Sequence, residues 1–146
     1  MSKQPFVTIA ESVKPLNLVG EQIRVLADGE RTGGYEVFLQ GGPDGAGPPP
    51  HTHPWDEAYF VLEGTLEVLL GERIQKVAAG EFVFIPGGTP HNFRLIGNTR
   101  FLSINSAAGA ARFFEEFDRE VHGPEDMPNA IAVGGRHRVT FLPPPQ

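Results

Sequence analysis

Cysteine is absent from this sequence of 146 residues, and its absence excludes several kinds of site at once. Without cysteine the chain forms no disulfide, binds no metal through a thiolate and uses no cysteine nucleophile. Any metal ion must therefore be held by nitrogen and oxygen ligands.

Basic residues are also few. The chain has 12 Lys and Arg against 18 Asp and Glu, a formal net charge of −6, and it has no block of consecutive basic residues. Proteins that bind nucleic acid through its phosphates usually concentrate positive charge on one surface. We therefore expect no nucleic-acid partner.

Long apolar runs are the third absence. No stretch is long enough to cross a bilayer, and the residues after Met1 have neither the basic start nor the apolar stretch of a signal peptide. These features predict a protein with no membrane partner and a cytoplasmic location.

Short apolar or alternating segments, separated by turn residues, run from Lys14 to about Ile104. The 18 Gly and 14 Pro punctuate segments of five to eight residues, with no helical pattern between them. The length suits one domain over residues 1–146. We predict an all-β fold, a sandwich or barrel of antiparallel strands.

One amphipathic helix is predicted after the β region, over about 107–121. Its apolar face comprises Phe113, Phe114, Phe117 and Val121, with Ser106 as the candidate N-cap. This face needs a surface to cover, either an outer sheet face, the open end of a barrel or a second subunit. The Gly- and Pro-rich tail, 123–146, is expected to drape over the surface or be partly disordered, with one edge strand in VTFL near Val139.

Two histidines separated by one residue carry the first candidate site. Gly45, His51, His53, Glu57 and Gly64 follow the spacing G-x5-H-x-H-x3-E-x6-G. Residues two apart on a strand face the same side, so both imidazoles can converge on one point, and the glutamate has the same parity. We predict that the two histidines and the glutamate are metal ligands; the alternative is a solvated His-Pro loop with a surface carboxylate.

A second segment supplies a third imidazole. Gly80, Pro86, Gly88 and His91 follow the spacing G-x5-P-x-G-x2-H, in which a tight turn precedes the histidine. In an antiparallel barrel the strand that begins at His91 can lie beside the one that carries the first two histidines. We predict that His91 is the fourth ligand; the alternative is a core histidine whose hydrogen bonds are satisfied.

The two segments resemble the paired motifs of the cupin superfamily. The first matches the cupin pattern at every specified position, whereas the second has Leu95 where the pattern ends in asparagine. That asparagine is not a metal ligand in the family, so the metal hypothesis is unaffected. The resemblance covers about Val19 to Asn105, and it implies a double-stranded β-helix, or jelly-roll barrel, with a core over about 19–105.

The FFEEF helix and the 15 residues between the motifs, 65–79, are similar to those of compact, quercetinase-like cupins. This resemblance favours a dioxygenase that acts on a small hydroxylated aromatic or other enolisable compound, and it implies a homodimer. Two alternatives stay open, a non-redox metal-dependent isomerase or decarboxylase and a non-catalytic small-molecule-binding cupin.

Three imidazoles and a carboxylate suit one divalent transition metal ion, Fe, Mn, Ni, Cu or Zn, better than calcium or magnesium. With a redox-active ion, Glu57 is also the candidate catalytic base toward a substrate hydroxyl. The pocket candidates are Tyr59 and Phe93, which share the parity of the ligands, and Trp55.

The remaining charged and imidazole groups are less specific. Arg24, Arg94 and Arg100 lie on predicted strands, and any that points inward could bind an anionic substrate. His122 and His137 lie outside both motifs, and we assign them to the surface.

Overall fold

The computed structural model describes residues 3–143, which form mostly antiparallel β structure with three helices. The strands are β1 (Leu16–Leu18), β2 (Glu21–Ala27), β3 (Glu36–Gly42), β4 (His51–Thr52), β5 (Glu57–Leu70), β6 (Arg73–Ala78), β7 (Phe82–Ile85), β8 (His91–Asn105) and β9 (Thr140–Phe141). The helices are α1 (Gly29–Thr32), α2 (Ala110–Glu120) and α3 (Met127–Arg136).

Two long strands, β5 and β8, pair with each other along their length and run through both layers of the fold. The first half of β5 pairs with β7, and the second half pairs with β6. The second half of β8 pairs with β3, and its first residue pairs with β4. The sheet therefore curls into two layers, in the all-β jelly-roll architecture that was predicted.

The bend between the layers lies at irregularities in the pairing of β5 and β8. The register of β5 shifts between Val61 and Thr65, where Gly64 has a φ of 80°. A Cβ at this glycine would come within 2.5 Å of the Asn98 carbonyl oxygen, so the close approach of the strands requires glycine.

The core between the layers follows the alternation of the strands. Its buried members are Tyr59, Val61, Leu66, Val68, Val77, Ile85, Phe93, Leu95 and Phe101. Leu95, the residue that departs from the cupin pattern, is fully buried here. An apolar side chain at this position contributes to the core, and burial of a leucine is worth about 2 kcal/mol.

Helix α2 begins later than predicted, and Ser106 is not its N-cap. The Ser106 hydroxyl instead accepts a hydrogen bond from the Asp56 N–H at 2.9 Å. The buried carboxylate of Glu36, on β3, accepts from the N–H groups of Gly109 and Ala111 at 3.2 and 3.0 Å. A carboxylate from a distant strand therefore satisfies the helix N-terminus.

The apolar face of α2 covers the open end of the barrel. Phe113, Phe117 and Val121 are buried, and Phe114 contacts Phe38 edge to face with a centroid distance of 4.9 Å. The helix packs on β1 and α3. Of the three surfaces considered from the sequence, the structure therefore selects the barrel end.

The tail is more ordered than predicted. It contains α3, and β9 pairs with β4, which confirms the predicted edge strand. Pro128 lies in the first turn of α3, where the missing N–H is tolerated. Gly134 lets the Val139 carbonyl approach, since a Cβ would come within 2.6 Å of that oxygen. Residues 144–146 of this predicted tail lie outside the described residues, and none of the helices in 3–143 could span a membrane.

Candidate metal centre

Four side chains from both layers of the barrel meet at the inner end of a cavity. His51 on β4 is the register partner of His91 on β8, so these two imidazoles start from adjacent strands. Strand β4 ends at Thr52, and the chain turns before β5 begins at Glu57 in the other layer. The prediction that one strand carries the whole first motif is therefore wrong, and Glu57 instead approaches from across the barrel.

The distances bring the three imidazoles and the carboxylate together. One ring nitrogen of each of His51, His53 and His91 lies within 4.8 Å of the others. The Glu57 Oε2 atom lies 2.7 Å from His53 Nε2 and 3.6 Å from His91 Nε2. All four residues predicted as ligands thus share one small volume.

Backbone carbonyls orient each imidazole. The Nδ1 atoms of His51, His53 and His91 lie 2.9, 3.0 and 2.8 Å from the carbonyl oxygens of Pro49, Trp55 and Thr89. Because a carbonyl only accepts, each Nδ1 carries a hydrogen, so each ring when neutral turns the lone pair of Nε2 inward. This orientation is typical of metal-binding histidines.

Two features of the inward-facing atoms fit a bound cation. His91 is only 1 % exposed, and its Nε2 has no hydrogen-bond partner within residues 3–143. The Nε2 lone pair of His53 faces a carboxylate oxygen at 2.7 Å, and two acceptors this close require a proton or a metal ion between them. The donor set therefore fits a divalent transition metal ion.

The electrostatics of the site favour a neutral His51 ring and an ionised Glu57 carboxylate. Burial and the neighbouring His91 lower the pKa of His51 to about 4, so its ring is neutral at pH 7. Burial tends to raise the pKa of Glu57, but the hydrogen bond with His53 and the nearby His91 imidazole outweigh it and hold that pKa well below its ordinary value. For His91, burial lowers the pKa, and the Glu57 carboxylate more than compensates and raises it.

A hydrogen-bond chain behind Glu57 holds its outer oxygen. Trp55 stacks on the His53 ring at 4.3 Å and donates from Nε1 to Asn105 Oδ1 at 2.8 Å. Asn105 donates to Ser103 Oγ at 3.1 Å, and Ser103 donates to Glu57 Oε1 at 3.4 Å. The chain leaves Oε2 directed at the imidazoles. Ser103 and Asn105 were not among the predicted site residues, although both share the inward parity of Phe101 on β8.

The cavity above this centre has a volume of about 210 Å³ and mostly apolar walls. Trp55, Tyr59 and Phe93, the predicted pocket residues, all line it. Tyr59 is buried beside Glu57, and burial raises the pKa of its hydroxyl well above the ordinary value. The helical cover, which the sequence did not place in the pocket, contributes Phe113, Phe114, Phe117, Val121, Met127 and Ala130.

The three arginines that were considered as anion ligands do not reach this cavity. Arg94 pairs with Glu67 and Arg100 with Glu63 on the outside of the barrel. Arg24 donates to backbone carbonyls of the N-terminal segment. Within residues 3–143 no lysine or arginine lines the cavity, so no cationic side chain is placed to bind an anionic substrate.

The two other histidines lie away from the centre. His122 is exposed, as predicted. His137 is half-buried and lies 2.6 Å from the Glu116 carboxylate, so its assignment to the free surface is wrong. This contact ties the end of α3 to α2.

Comparisons with known proteins agree with the fold. Residues 38–105 match the family model described as a cupin domain. The chain is 32 % identical over 115 residues to quercetin 2,3-dioxygenase of Bacillus subtilis (strain 168), which covers 73 % of this chain and 34 % of the relative. The chain spans about a third of the length of the first curated relatives that it matches.

Solved structures show the same architecture. KdgF from Halomonas sp. aligns with a TM-score of 0.66 and 20 % identity over 71 % of this chain and 94 % of its own. The polyketide cyclase RemF from Streptomyces resistomycificus aligns with a TM-score of 0.59 and 24 % identity over 91 % and 99 %. At these identities the likeness concerns the fold alone.

Proposed function

Because the chain belongs to the cupin superfamily, we propose that His51, His53, Glu57 and His91 bind one divalent transition metal ion and that the protein is a dioxygenase. The substrate is a small hydroxylated aromatic or other enolisable compound. The observation that carries the metal proposal is the set of inward Nε2 atoms, one of them buried without a partner, around a carboxylate. Similarity to quercetin 2,3-dioxygenase supports the choice of oxygenase chemistry.

His51, His53, Glu57 and His91 would hold a redox-active ion, which would supply electron transfer between substrate and O₂. The chain itself prepares this chemistry in two ways. The carbonyl partners of the Nδ1 atoms fix the orientation of the imidazoles and direct each Nε2 toward the centre. The Glu57 carboxylate would act as base once it detaches from the ion, taking the proton of a substrate hydroxyl at Oε2 while Ser103 holds Oε1.

The walls of the cavity support a flat, apolar substrate. Trp55, Tyr59 and Phe93 supply aromatic surface next to the centre, and α2 and α3 close the opposite side. These helices keep bulk water from the reacting groups, which strengthens the electrostatic interactions inside.

Oxygen uptake with different metals tests this proposal. The protein is stripped of metal, reloaded with Fe²⁺, Mn²⁺, Ni²⁺ or Cu²⁺ and mixed with catechols, flavonols or diketones. We expect O₂ consumption with at least one of these ions. Zn²⁺, which has no redox chemistry, should abolish uptake. Glu57→Gln should lower the rate by about 100-fold or more, whereas Glu67→Gln, which changes an outer carboxylate paired with Arg94, should not.

The alternatives have distinct outcomes in the same experiment. Substrate conversion with Zn²⁺ and without O₂ consumption would indicate an isomerase or decarboxylase. Ligand binding without turnover under any metal would indicate a non-catalytic binding cupin. Either outcome would contradict the dioxygenase proposal.

We also propose that the chain forms a homodimer through the outer face of one sheet layer. Phe82 and Phe84 on β7 are 59 % and 54 % exposed, and their register partners on β5 are Phe60 and Ala58. Ile104 on β8 extends this apolar surface. Contiguous apolar surface of this kind marks an interface. An antiparallel sheet face can pack against its own copy about a twofold axis, so we assign a second copy of the chain as its partner.

Light scattering after size exclusion tests the dimer. We expect twice the chain mass for the wild type and the monomer mass for Phe82→Glu combined with Phe84→Glu, because charges cannot be buried unpaired. Ile74→Glu changes an exposed residue of the other layer and should leave the dimer intact. A monomeric wild type, or a double variant that stays dimeric, would contradict the proposal.

A further inference from the structure

A polar pair lies in the wall of the same cavity, outside the four candidate ligands. Glu21 begins β2 and Gln40 lies on β3, and both side chains line the cavity although they are only 4 % and 3 % exposed. Gln40 Nε2 donates a hydrogen bond to Glu21 Oε1 at 2.5 Å. The function proposed above does not use this pair.

The amide oxygen of Gln40 is left without a partner. Its Oε1 is buried and accepts no hydrogen bond within residues 3–143. Buried acceptors are almost always satisfied, because an unpaired one loses its hydration without compensation. Since Gln40 forms part of a cavity wall, a donor on a bound molecule can satisfy this oxygen.

Glu21 offers the complementary group. Burial and, to a smaller extent, the charge of Glu57 raise the pKa of Glu21, and the hydrogen bond from Gln40 lowers it. The net result is a pKa of about 8. At neutral pH the side chain is therefore mostly a carboxylic acid. Its Oε1 already accepts from Gln40, so the proton lies on Oε2 and is available for donation.

We propose that Glu21 and Gln40 form a subsite for a hydroxyl group of an uncharged, largely apolar ligand. The ligand hydroxyl donates to Gln40 Oε1 and accepts from the Glu21 carboxylic acid, so one hydroxyl satisfies both groups. The inference rests on the proposed function only in treating the cavity as the substrate site.

The surroundings of the pair disfavour an anion. No lysine or arginine within the described chain lines the cavity, and the Glu57 side chain lies in the same wall. A carboxylate on the ligand would also place two acceptors against each other at Gln40 Oε1. The subsite therefore selects for a neutral hydroxyl compound.

Calorimetric titration with three related probes tests the subsite. The probes are 5-indanol, indane and indane-5-carboxylate, which share an apolar body and differ in the polar group. They are titrated into metal-free protein in chelator and into Zn²⁺-loaded protein. We expect 5-indanol to bind about tenfold more tightly than the other two in at least the Zn²⁺-loaded form, because two buried hydrogen bonds are gained.

The variants separate the subsite from general packing. Glu21→Leu combined with Gln40→Leu should reduce the preference for 5-indanol over indane to about twofold or less, since replacing both partners removes the subsite without leaving a buried polar group unpaired. Glu21→Gln keeps a donor and should retain most of the preference. Gln22→Leu, on the exposed side of β2, is the matched control and should behave as wild type. If the double variant does not fold, Gln40→Met removes the unpartnered oxygen alone, and the same ratio is measured.

Equal binding of 5-indanol and indane to the wild type would overturn the inference, as would a double variant that keeps the preference. Tighter binding of the carboxylate, or no binding of any probe at millimolar concentration, would also overturn it. Failure of the dioxygenase proposal looks different. In that case the protein still prefers 5-indanol over indane, but no metal ion supports O₂ uptake.

Discussion

The double variant His51→Ala and His53→Ala is expected to lose metal affinity by about 100-fold or more. Removal of a residue that only orients a ligand typically costs 10- to 100-fold, and this variant removes two of the four candidate ligands themselves. His91 and Glu57 remain, which is too few to hold the ion in competition with water or a chelator. Equilibrium dialysis with Zn²⁺ and Co²⁺, followed by metal analysis, measures the loss.

The matched control for this variant is His122→Ala. His122 is exposed and lies outside both motifs, so its removal should leave binding unchanged at one ion per chain. A double variant that retains one ion per chain would contradict the assignment of the centre.

Thermal unfolding gives a second readout of metal binding that does not depend on activity. A ligand that binds only the folded chain stabilises it by about 2.7 kcal/mol at 100 times its dissociation constant. Excess Zn²⁺ should therefore raise the melting temperature of the wild type and of His122→Ala, and it should have little effect on the double variant. Equal shifts in all three proteins would indicate binding elsewhere on the chain.

Much of the barrel could be predicted from the sequence, because strand periodicity is a local signal. The alternation of Tyr59, Val61, Leu66 and Val68 marks the buried face of β5, and the structure places all four between the layers. The sequence could not show that β5 is one strand shared by two layers, because this depends on its pairing with β8.

The helix boundaries depended on contacts that no local pattern reveals. Ser106 has the residue type of an N-cap, but Glu36 reaches the start of α2 from β3, which is far away in sequence. Helix α3 was missed because Gly134 and Gly135 argue against a helix. Gly134 is required by the close approach of the Val139 carbonyl, a contact that only the folded chain forms.

The four residues of the candidate centre could be predicted from the sequence, but their positions on the strands could be predicted only in part. The motif spacing selected His51, His53, Glu57 and His91, and the structure brings them together. The parity argument placed Glu57 on the strand of the histidines, whereas it crosses from the other layer. Polar residues at inward strand positions, Ser103 among them, carried a signal that was not used.

Glu21→Gln is expected to remove a pH-dependent contribution to the free energy of unfolding. Among the side chains discussed, Glu21 makes the largest contribution of this kind. In the unfolded chain Glu21 releases its proton near the ordinary pKa of 4.5, whereas in the folded chain it keeps the proton up to about pH 8. The unfolded state therefore binds fewer protons between these values, and the free energy of unfolding falls as the pH rises. Its contribution is fully present below pH 4.5 and is lost as the pH passes through about 8.

A pKa raised by this amount lowers the free energy of unfolding by roughly 3 to 5 kcal/mol between pH 5 and pH 8 or slightly above. Urea unfolding in chelator at these two pH values, on wild type and Glu21→Gln, measures it as a difference of differences. The other ionisable groups are the same in both proteins, so their contributions largely cancel. Glu63→Gln, an exposed carboxylate, is the control and should follow the wild type. Parallel pH profiles for wild type and Glu21→Gln would mean that Glu21 is ionised in the folded chain, and the donor in the hydroxyl subsite would then be missing.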